Sequence, residues 1–316
     1  MESCAERITY DEISWEDTKF MDSLLCSVDS TEIISISRYW EDFTYTSDSM
    51  YYLYSFFNSE NREVRIAVQT YEGDKHYGAI ILPLGYKDQF DYPVLVFAPG
   101  LNQYQPRVDL RKHPTIRKLT KKFPLYILVI PSYRGQELGS GDIGFCSDGF
   151  FGDAFDGATD DALRLLDGTL KNIQGADATR VGIYGISRGG TVALLAASRD
   201  KRIKAAISQA GPVDFVRKEV ANRYRFQYYY QFLNGEATLT ERRNHILRSS
   251  PIHFIHDYQG KLLILHGIQD KTVPLWNAEE LLQRREADTL TYHEFWEAGH
   301  NFDATDKVKG WLKEQL

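Results

Sequence analysis

The segment Gly185-Ile-Ser-Arg-Gly189 carries a serine with a glycine two positions away on each side. A short apolar run, residues 180–184, precedes it, and an apolar stretch with helical spacing, residues 191–197, follows it. In a sharp strand-to-helix turn, a Cβ at either glycine position would collide with the neighbouring backbone. Ser187 is therefore a predicted nucleophile, placed at the start of a helix whose dipole favours developing negative charge.

Two later residues could activate that serine. A serine hydroxyl is a weak nucleophile until a base takes its proton, and an acid must orient the base. Asp270 lies in the turn after an apolar run at 262–265, and His300 follows a strand-like segment at 292–296. Because both would lie at carboxyl ends of strands, we predict that Ser187, His300 and Asp270 act as nucleophile, general base and orienting acid. Asp303 is a weaker alternative for the acid because it follows the histidine.

Acyl transfer also needs about two hydrogen-bond donors for the oxyanion of the tetrahedral intermediate. The backbone N–H of Arg188, the residue after the nucleophile, is the first predicted donor. The second should come from the loop after the apolar run at 94–98, where we assign Leu101, with Asn102 as second choice. The residues expected to line the substrate pocket are Asn102, Tyr133, Phe150, Phe151 and Tyr229.

Other motifs suggest cofactors but lack the required context. His253 and His256 have a spacing found in metal sites, but no cysteine or carboxylate accompanies them in a recognisable pattern. His266 is expected to be structural. The segment Gly139-Ser-Gly-Asp-Ile-Gly144 matches a dinucleotide fingerprint, but no helix is predicted directly after it. We therefore predict neither a metal nor a cofactor.

Apolar periodicity indicates the elements that must position these residues. Val64, Ile66 and Val68 alternate as in a half-buried strand, and residues 77–83 form its expected hairpin partner. Short apolar runs then alternate with helical segments, which is typical of a parallel sheet covered on both faces. The predicted class is α/β, with a mostly parallel central sheet and an antiparallel start. The runs are 94–98, 125–130, 181–184, 205–207 and 262–265, and the helical segments are 115–122, 155–170, 191–199 and 278–285.

Two parts of the chain stand apart from this alternation. Residues 1–60 are acidic and aromatic, and we expect an N-terminal extension that packs on a catalytic domain of residues 61–316, or serves as a lid or dimer contact. Residues 213–250 contain an aromatic stretch at 223–233 and lie between two expected strands. This insertion is interpreted either as a cap over the pocket or as an ordinary covering helix.

Composition limits the partners of the protein. The 316 residues carry a formal net charge of −7, which argues against nucleic-acid binding, since that requires clustered basic residues. The three cysteines are too few for a disulfide framework, so free thiols and a reducing compartment are expected. Neither a signal peptide nor an apolar run of about 18 residues is present, so we expect a cytoplasmic protein without membrane insertion. A homodimer is left open.

Taken together, several motifs resemble those of the α/β-hydrolase superfamily, most closely the prolyl oligopeptidase-like (S9-type) serine hydrolases and related dienelactone hydrolase-like esterases. The resemblance covers about residues 75–316 and implies the α/β-hydrolase fold and an acyl-enzyme on Ser187. The sequence departs from the family pattern in two ways. The loop Pro99-Gly100-Leu101 stands in place of the family's His-Gly-Gly loop, and the roughly seventy residues before the region of resemblance are too few to form the family's β-propeller. The motifs are Val129-Ile-Pro-Ser-Tyr-Arg-Gly135, Gly152-Asp-Ala-Phe-Asp-Gly-Ala-Thr-Asp160, Gly185–Gly190, Ser208-Gln-Ala-Gly-Pro-Val-Asp-Phe215, Ser250-Pro251, His266-Gly267, Asp270, Val273-Pro274 and Gly299-His300.

The expected function is hydrolysis of a carboxylic ester or related acyl bond of a small molecule. A peptidase or amidase acting on small peptides and an acyltransferase are the enzymatic alternatives. A non-enzymatic binding protein on the same scaffold is disfavoured, because all three positions of the expected catalytic set are occupied.

Overall fold

In the computed structural model, the described residues are 18–101, 106–285 and 288–316, so Asn102 lies outside them. Twelve strands are present among these residues. They are β1 (Ser49–Phe57), β2 (Glu63–Tyr71), β3 (Asp74–Ile81), β4 (Tyr92–Ala98), β5 (Arg107–Asp109), β6 (Ile127–Pro131), β7 (Glu137–Ser140), β8 (Ile143–Cys146), β9 (Ala176–Ile186), β10 (Ile203–Gln209), β11 (Lys261–Gly267) and β12 (Leu290–Phe295).

Nine of the strands form one sheet in the order β1-β2-β3-β6-β4-β9-β10-β11-β12. The pairs from β1 to β6 are antiparallel, and every pair from β6 to β12 is parallel. The antiparallel start and the mostly parallel sheet predicted from the apolar pattern are therefore confirmed. Strands β5, β7 and β8 form a separate small sheet.

Alternate side chains of the central strands enter two different cores. In β4, Val94 and Val96 pack with helices on one face, whereas Leu95 and Phe97 pack with helices on the other. The strands are buried on both faces, which explains why they appear in the sequence as continuous apolar runs. The helices are α1 (Thr18–Leu24), α2 (Ser30–Asp42), α3 (Pro114–Lys122), α4 (Asp156–Asn172), α5 (Arg188–Arg199), α6 (Lys218–Arg223), α7 (Arg225–Tyr228), α8 (Leu239–Arg248), α9 (Trp276–Arg284) and α10 (Thr305–Gln315). Helices α4, α5 and α9 cover the first face, and α3 and α10 cover the second.

The segment between β10 and β11 lies outside this regular alternation. It contains α6, α7, a π-helical turn at Tyr229–Leu233, and α8. Its apolar side chains, among them Phe215 and Phe232, form a third core with Ile36 and Trp40 of α2. We call residues 213–250 the cap segment.

The N-terminal described residues contact both the sheet and the cap segment. Strand β1 is the edge strand of the nine-stranded sheet, and Glu32 of α2 forms an ion pair with Arg243 of α8 at 2.9 Å. The division into an extension of residues 1–60 and a catalytic domain of residues 61–316 stays a prediction. In the structure, β1 within that extension pairs with β2 of the main sheet.

The expectation of three free thiols is wrong for Cys146. Cys146 is disulfide-bonded, whereas Cys26 is free. Disulfides are typical of oxidising compartments, and this one therefore weighs against the predicted cytoplasmic location.

Among the described helices, none has the length and apolar character needed to cross a bilayer.

Candidate active site

Ser187 occupies the turn between β9 and α5, with φ at 56° and ψ at −121°. A non-glycine residue with positive φ is strained by about 1–3 kcal/mol, and such strain is typical of functional sites. A Cβ at Gly185 would overlap the carbonyl oxygen of Gly189, and a Cβ at Gly189 would overlap that of Ala98. Both glycines are therefore required by the tight turn, as the sequence motif predicts.

The imidazole of His300 lies between Ser187 and Asp270. His300 Nε2 is 2.8 Å from Ser187 Oγ, and His300 Nδ1 is 2.7 Å from Asp270 Oδ2. An ionised carboxylate only accepts hydrogen bonds, so Nδ1 of a neutral His300 donates to it. Nε2 is then the acceptor, which is the form that can take a proton from the Ser187 hydroxyl.

The carboxyl group of Asp270 is held by the turn that follows β11. Its Oδ1 accepts hydrogen bonds from the backbone N–H groups of Thr272 at 2.8 Å and Val273 at 2.9 Å. Burial raises the pKa of Asp270, but the hydrogen bonds from His300 and from the two amides outweigh it and leave the pKa below its ordinary value. Asp270 is therefore ionised at neutral pH and can stabilise an imidazolium.

The neighbouring histidine, His266, is buried beneath this turn. Its Nε2 donates to the carbonyl oxygen of Val273 at 2.9 Å and lies 3.7 Å from Asp270 Oδ2. Burial lowers the pKa of His266, so its ring is neutral at neutral pH. These contacts fit the structural role expected for it.

Among the described residues, no group of three His, Cys, Asp or Glu side chains could hold a metal ion.

A cavity of about 730 Å³ lies over Ser187. One wall is apolar and aromatic, and it comes mainly from the cap segment: Phe155, Phe215, Val220, Tyr224 and Tyr228. Other lining residues come from the start of α3 and the loop after His300: His113, Pro114, Thr115, Lys118, Phe302 and Asp303. Ser187 and His300 also line the cavity, so a substrate bound there can reach both.

The two residues assigned to the oxyanion hole also border the cavity. Leu101 and Arg188 line it together with Gly100. The loop passes close to the nucleophile, because a Cβ on Gly100 would lie 3.6 Å from the Cβ of Ser187. The alternative donor, Asn102, lies outside the described residues.

Four of the five predicted pocket residues do not line this cavity, and the fifth, Asn102, is not described. Tyr133 is buried at 1% exposure under the guanidinium of Arg188, whose Cζ is 4.5 Å from the ring centre. Phe151 is also buried, and its backbone packs against Gly135. Proximity to the glycine-rich loop in sequence did not indicate where these side chains point.

The predictions for Phe150 and Tyr229 are also wrong, because the direction of each side chain depends on tertiary packing. Phe150 is 41% exposed and packs against the ring of Tyr230, with ring centres 5.0 Å apart. Tyr229 packs against the core of the cap segment, while its neighbour Tyr228 lines the cavity. The cavity face of the cap segment is formed by Tyr224, Gln227, Tyr228 and Gln231. Their i, i+3, i+4, i+7 spacing is the signal that could have identified this face from sequence.

Gln209, at the end of β10, is a further residue that the sequence interpretation missed. Its backbone carbonyl accepts from the N–H of Ser187 at 2.8 Å, and its side-chain Nε2 donates to the carbonyl of Phe302 at 2.8 Å. The hydroxyl of Tyr184 donates to Oε1 of the same side chain at 2.5 Å. Gln209 thus ties the loop that carries His300 to the turn that carries Ser187.

Sequence comparison gives one family match. The model of the prolyl oligopeptidase family matches residues 148–316, just over half of the chain. This region includes Ser187, Asp270 and His300. A Bacillus subtilis (strain 168) protein named as the uncharacterized peptidase YuxL is 26% identical over 163 residues, which cover 49% of this chain and 23% of that protein. The chain thus matches less than a quarter of that relative's length.

Similar folds occur among solved structures. Acetyl xylan esterase 1 from Thermoanaerobacterium sp. JW/SL YS485 has a TM-score of 0.64 at 15% identity, with 97% of this chain and 100% of that chain covered. An acetyl xylan esterase from Paenibacillus sp. R4 has a TM-score of 0.66 at 16% identity, with 95% and 99% covered. At these identities the likeness concerns the fold alone.

Proposed function

The chain belongs to the prolyl oligopeptidase family, and from that premise we propose that it is a serine hydrolase that cleaves uncharged carboxylic esters. The observation that carries the proposal is the position of the His300 ring, 2.8 Å from Ser187 Oγ and 2.7 Å from Asp270. A nucleophile, a base and an orienting acid in one hydrogen-bonded chain are the arrangement that acyl transfer requires.

The proposed cycle has two halves. Ser187 Oγ attacks the ester carbonyl carbon as its proton passes to His300 Nε2, and the resulting oxyanion accepts hydrogen bonds from the N–H groups of Arg188 and Leu101. The bond to the alcohol oxygen then breaks, and His300 gives its proton to that oxygen. In the second half, water loses a proton to His300 and attacks the acyl-enzyme, and the proton returns to Ser187 as the acid leaves.

The preference for uncharged substrates is supported by the charges around the cavity. Lys118 and Asp303, which both line the cavity, neutralise each other in an ion pair of 2.7 Å. The guanidinium of Arg188 is buried and lies over the ring of Tyr133, which does not line the cavity. Among the described lining residues, no carboxylate outside that ion pair is therefore available to bind the free α-amino group of a peptide.

The size and lining of the cavity indicate the class of ester. A volume of about 730 Å³ is within the range of small-molecule sites, and the aromatic wall of the cap segment favours an apolar group. We propose small or medium esters in which one part is apolar. The family name and the printed name of the B. subtilis relative favour a peptidase as the second candidate.

Two chromogenic substrates and one control substrate distinguish the two candidates. N-acetyl-alanine p-nitrophenyl ester and alanine p-nitroanilide release related chromophores, but only the anilide brings a free ammonium into the cavity. Burial of an unpaired ammonium costs several kcal/mol, and 1.4 kcal/mol is a factor of ten. We expect kcat/KM for the ester to exceed that for the anilide by about 100-fold or more.

The measurement is corrected for uncatalysed hydrolysis and for the rate of Ser187→Ala, and N-acetyl-alanine p-nitroanilide serves as the control that changes only the scissile bond. A higher corrected rate enhancement for the free-amino anilide than for the ester would contradict the proposal and favour an exopeptidase.

We also propose roles for two parts of the chain outside the active site. We propose that residues 213–250 act as a cap that shapes the cavity, and that the N-terminal residues brace it. This assignment is supported by the ion pair of Glu32 with Arg243 and by the hydrogen bond of Arg243 Nη1 to the carbonyl of Leu24 at 2.8 Å. A homodimer and the lack of a nucleic-acid partner remain proposals that the sequence alone supports. The sequence also supports a cytoplasmic location, but the disulfide of Cys146 counts against it.

A further inference from the structure

The side chain of Arg188 is a buried cation next to the nucleophile. It is 2% exposed, and its Nε has no hydrogen-bond partner among the described residues. Its Nη2 donates to the carbonyl oxygen of Gly100 at 3.1 Å, and its guanidinium stacks on the ring of Tyr133. Burial lowers the pKa of Arg188 to about 10, so the group is still charged at neutral pH. A cation buried in this way is costly to the fold, and such costs are typical of functional positions.

The acceptor of this hydrogen bond belongs to the loop that borders the nucleophile. The carbonyl of Gly100 and the N–H of Leu101 are parts of the same peptide group. This group is planar, and no described peptide bond is cis, so the C=O and the N–H point in opposite directions. A donor that fixes the carbonyl therefore also fixes the direction of the N–H. Gly100 and Leu101 both line the cavity with Ser187.

We propose that Arg188 is a positioning residue of the oxyanion hole. Its backbone N–H is one donor, and its side chain holds the Gly100 carbonyl so that the Leu101 N–H, the second donor, points at the developing oxyanion. The inference rests on the proposed function. The inference also explains how the loop Pro99-Gly100-Leu101 supplies a fixed donor. The side chain of Arg188, which lies outside the loop, holds the peptide group that carries the Leu101 N–H.

Arg188→Met tests the inference, because methionine keeps the apolar stem but removes the donor to Gly100. The loss of one oxyanion-hole donor lowers kcat by about 10²–10³-fold. A donor that is present but misdirected loses only part of this effect, so we expect Arg188→Met to lower kcat by about 10- to 100-fold. KM for p-nitrophenyl acetate should change less than about threefold, because the donor acts on the transition state rather than on the bound ester. Inhibition by phenylboronic acid, whose serine adduct is tetrahedral and anionic, should weaken in parallel with kcat.

Tyr133→Phe is the matched control, since it keeps the ring under the guanidinium and is expected to retain kcat within about twofold. The melting temperature is measured for each variant. Should Arg188→Met fail to fold, Arg188→Leu, which also lacks a side-chain donor, is judged by the same criteria.

Three results would overturn the inference: an unchanged kcat, a loss that appears in KM alone, or unweakened binding of the boronic acid. Failure of the proposed function would give a different result. The wild-type protein would then hydrolyse the ester no faster than Ser187→Ala, so the Arg188 variants could not be compared.

Discussion

Replacement of Ser187 by alanine is expected to lower kcat for p-nitrophenyl ester hydrolysis by about 10⁶-fold, and His300→Ala should cost about as much. The reason is that the two side chains act as a unit. Ser187 Oγ, 2.8 Å from His300 Nε2, becomes nucleophilic only as the imidazole takes its proton. The double variant should therefore be no slower than either single variant. Steady-state kinetics on protein quantified by absorbance measure this directly.

His293→Gln is the control for the histidine variant, because His293 lies in β12 on the same C-terminal part of the chain and is absent from the cavity lining. We expect its kcat to stay within about twofold of wild type. A His300→Ala protein with more than about 1% of wild-type activity would contradict the assigned base. A double variant at least about tenfold slower than both single variants would show that the two residues act independently.

Asp270→Asn is expected to lower kcat by about 10⁴-fold. The backbone amides of Thr272 and Val273 donate to Oδ1 and would hold the asparagine oxygen in that place. The NH₂ group would then face His300 Nδ1 and donate to it. The imidazole would have to carry its proton on Nε2, where it cannot accept the proton of Ser187. The pH-independent kcat of the variant, compared with wild type, measures this effect.

Asp303 provides the comparison for this prediction, since it is the alternative acid and its carboxylate is paired with Lys118 at 2.7 Å rather than with His300. Asp303→Asn should lose less than about tenfold in kcat. If instead Asp270→Asn retained near-normal activity while Asp303→Asn lost it, the orienting acid would be Asp303.

Much of the fold follows from local rules that a single sequence contains. Strands buried on both faces must be continuous apolar runs, so the predicted runs 94–98 and 262–265 lie within two residues of the bounds of β4 and β11, and the run 181–184 lies inside the longer β9. The resemblance to the prolyl oligopeptidase family is confirmed by the family match, and the serine hydrolase activity predicted with it stays a proposal. Steric exclusion at Gly185 and Gly189 is similarly local, because only the tight turn at Ser187 requires both glycines.

The pocket was predicted poorly because side-chain direction depends on packing. Tyr133 follows a strand that ends beside the site, yet its ring lies beneath Arg188 in a small core. Tyr229 and Tyr228 are adjacent in sequence, and the helical face on which each lies decides which of them lines the cavity. Gln209 reaches Phe302 across 93 positions of the chain, and no local pattern indicates such a contact. The disulfide of Cys146 likewise depends on tertiary proximity.

The central claim is that the hydroxyl of Ser187 is the nucleophile of this protein. A fluorophosphonate probe reacts covalently with an activated serine, and peptide mass spectrometry of the labelled wild-type protein locates the adduct. We predict one adduct per chain, on the peptide that contains Ser187, and its loss in Ser187→Ala. An adduct on a different serine, or no adduct on folded wild-type protein, would contradict the claim.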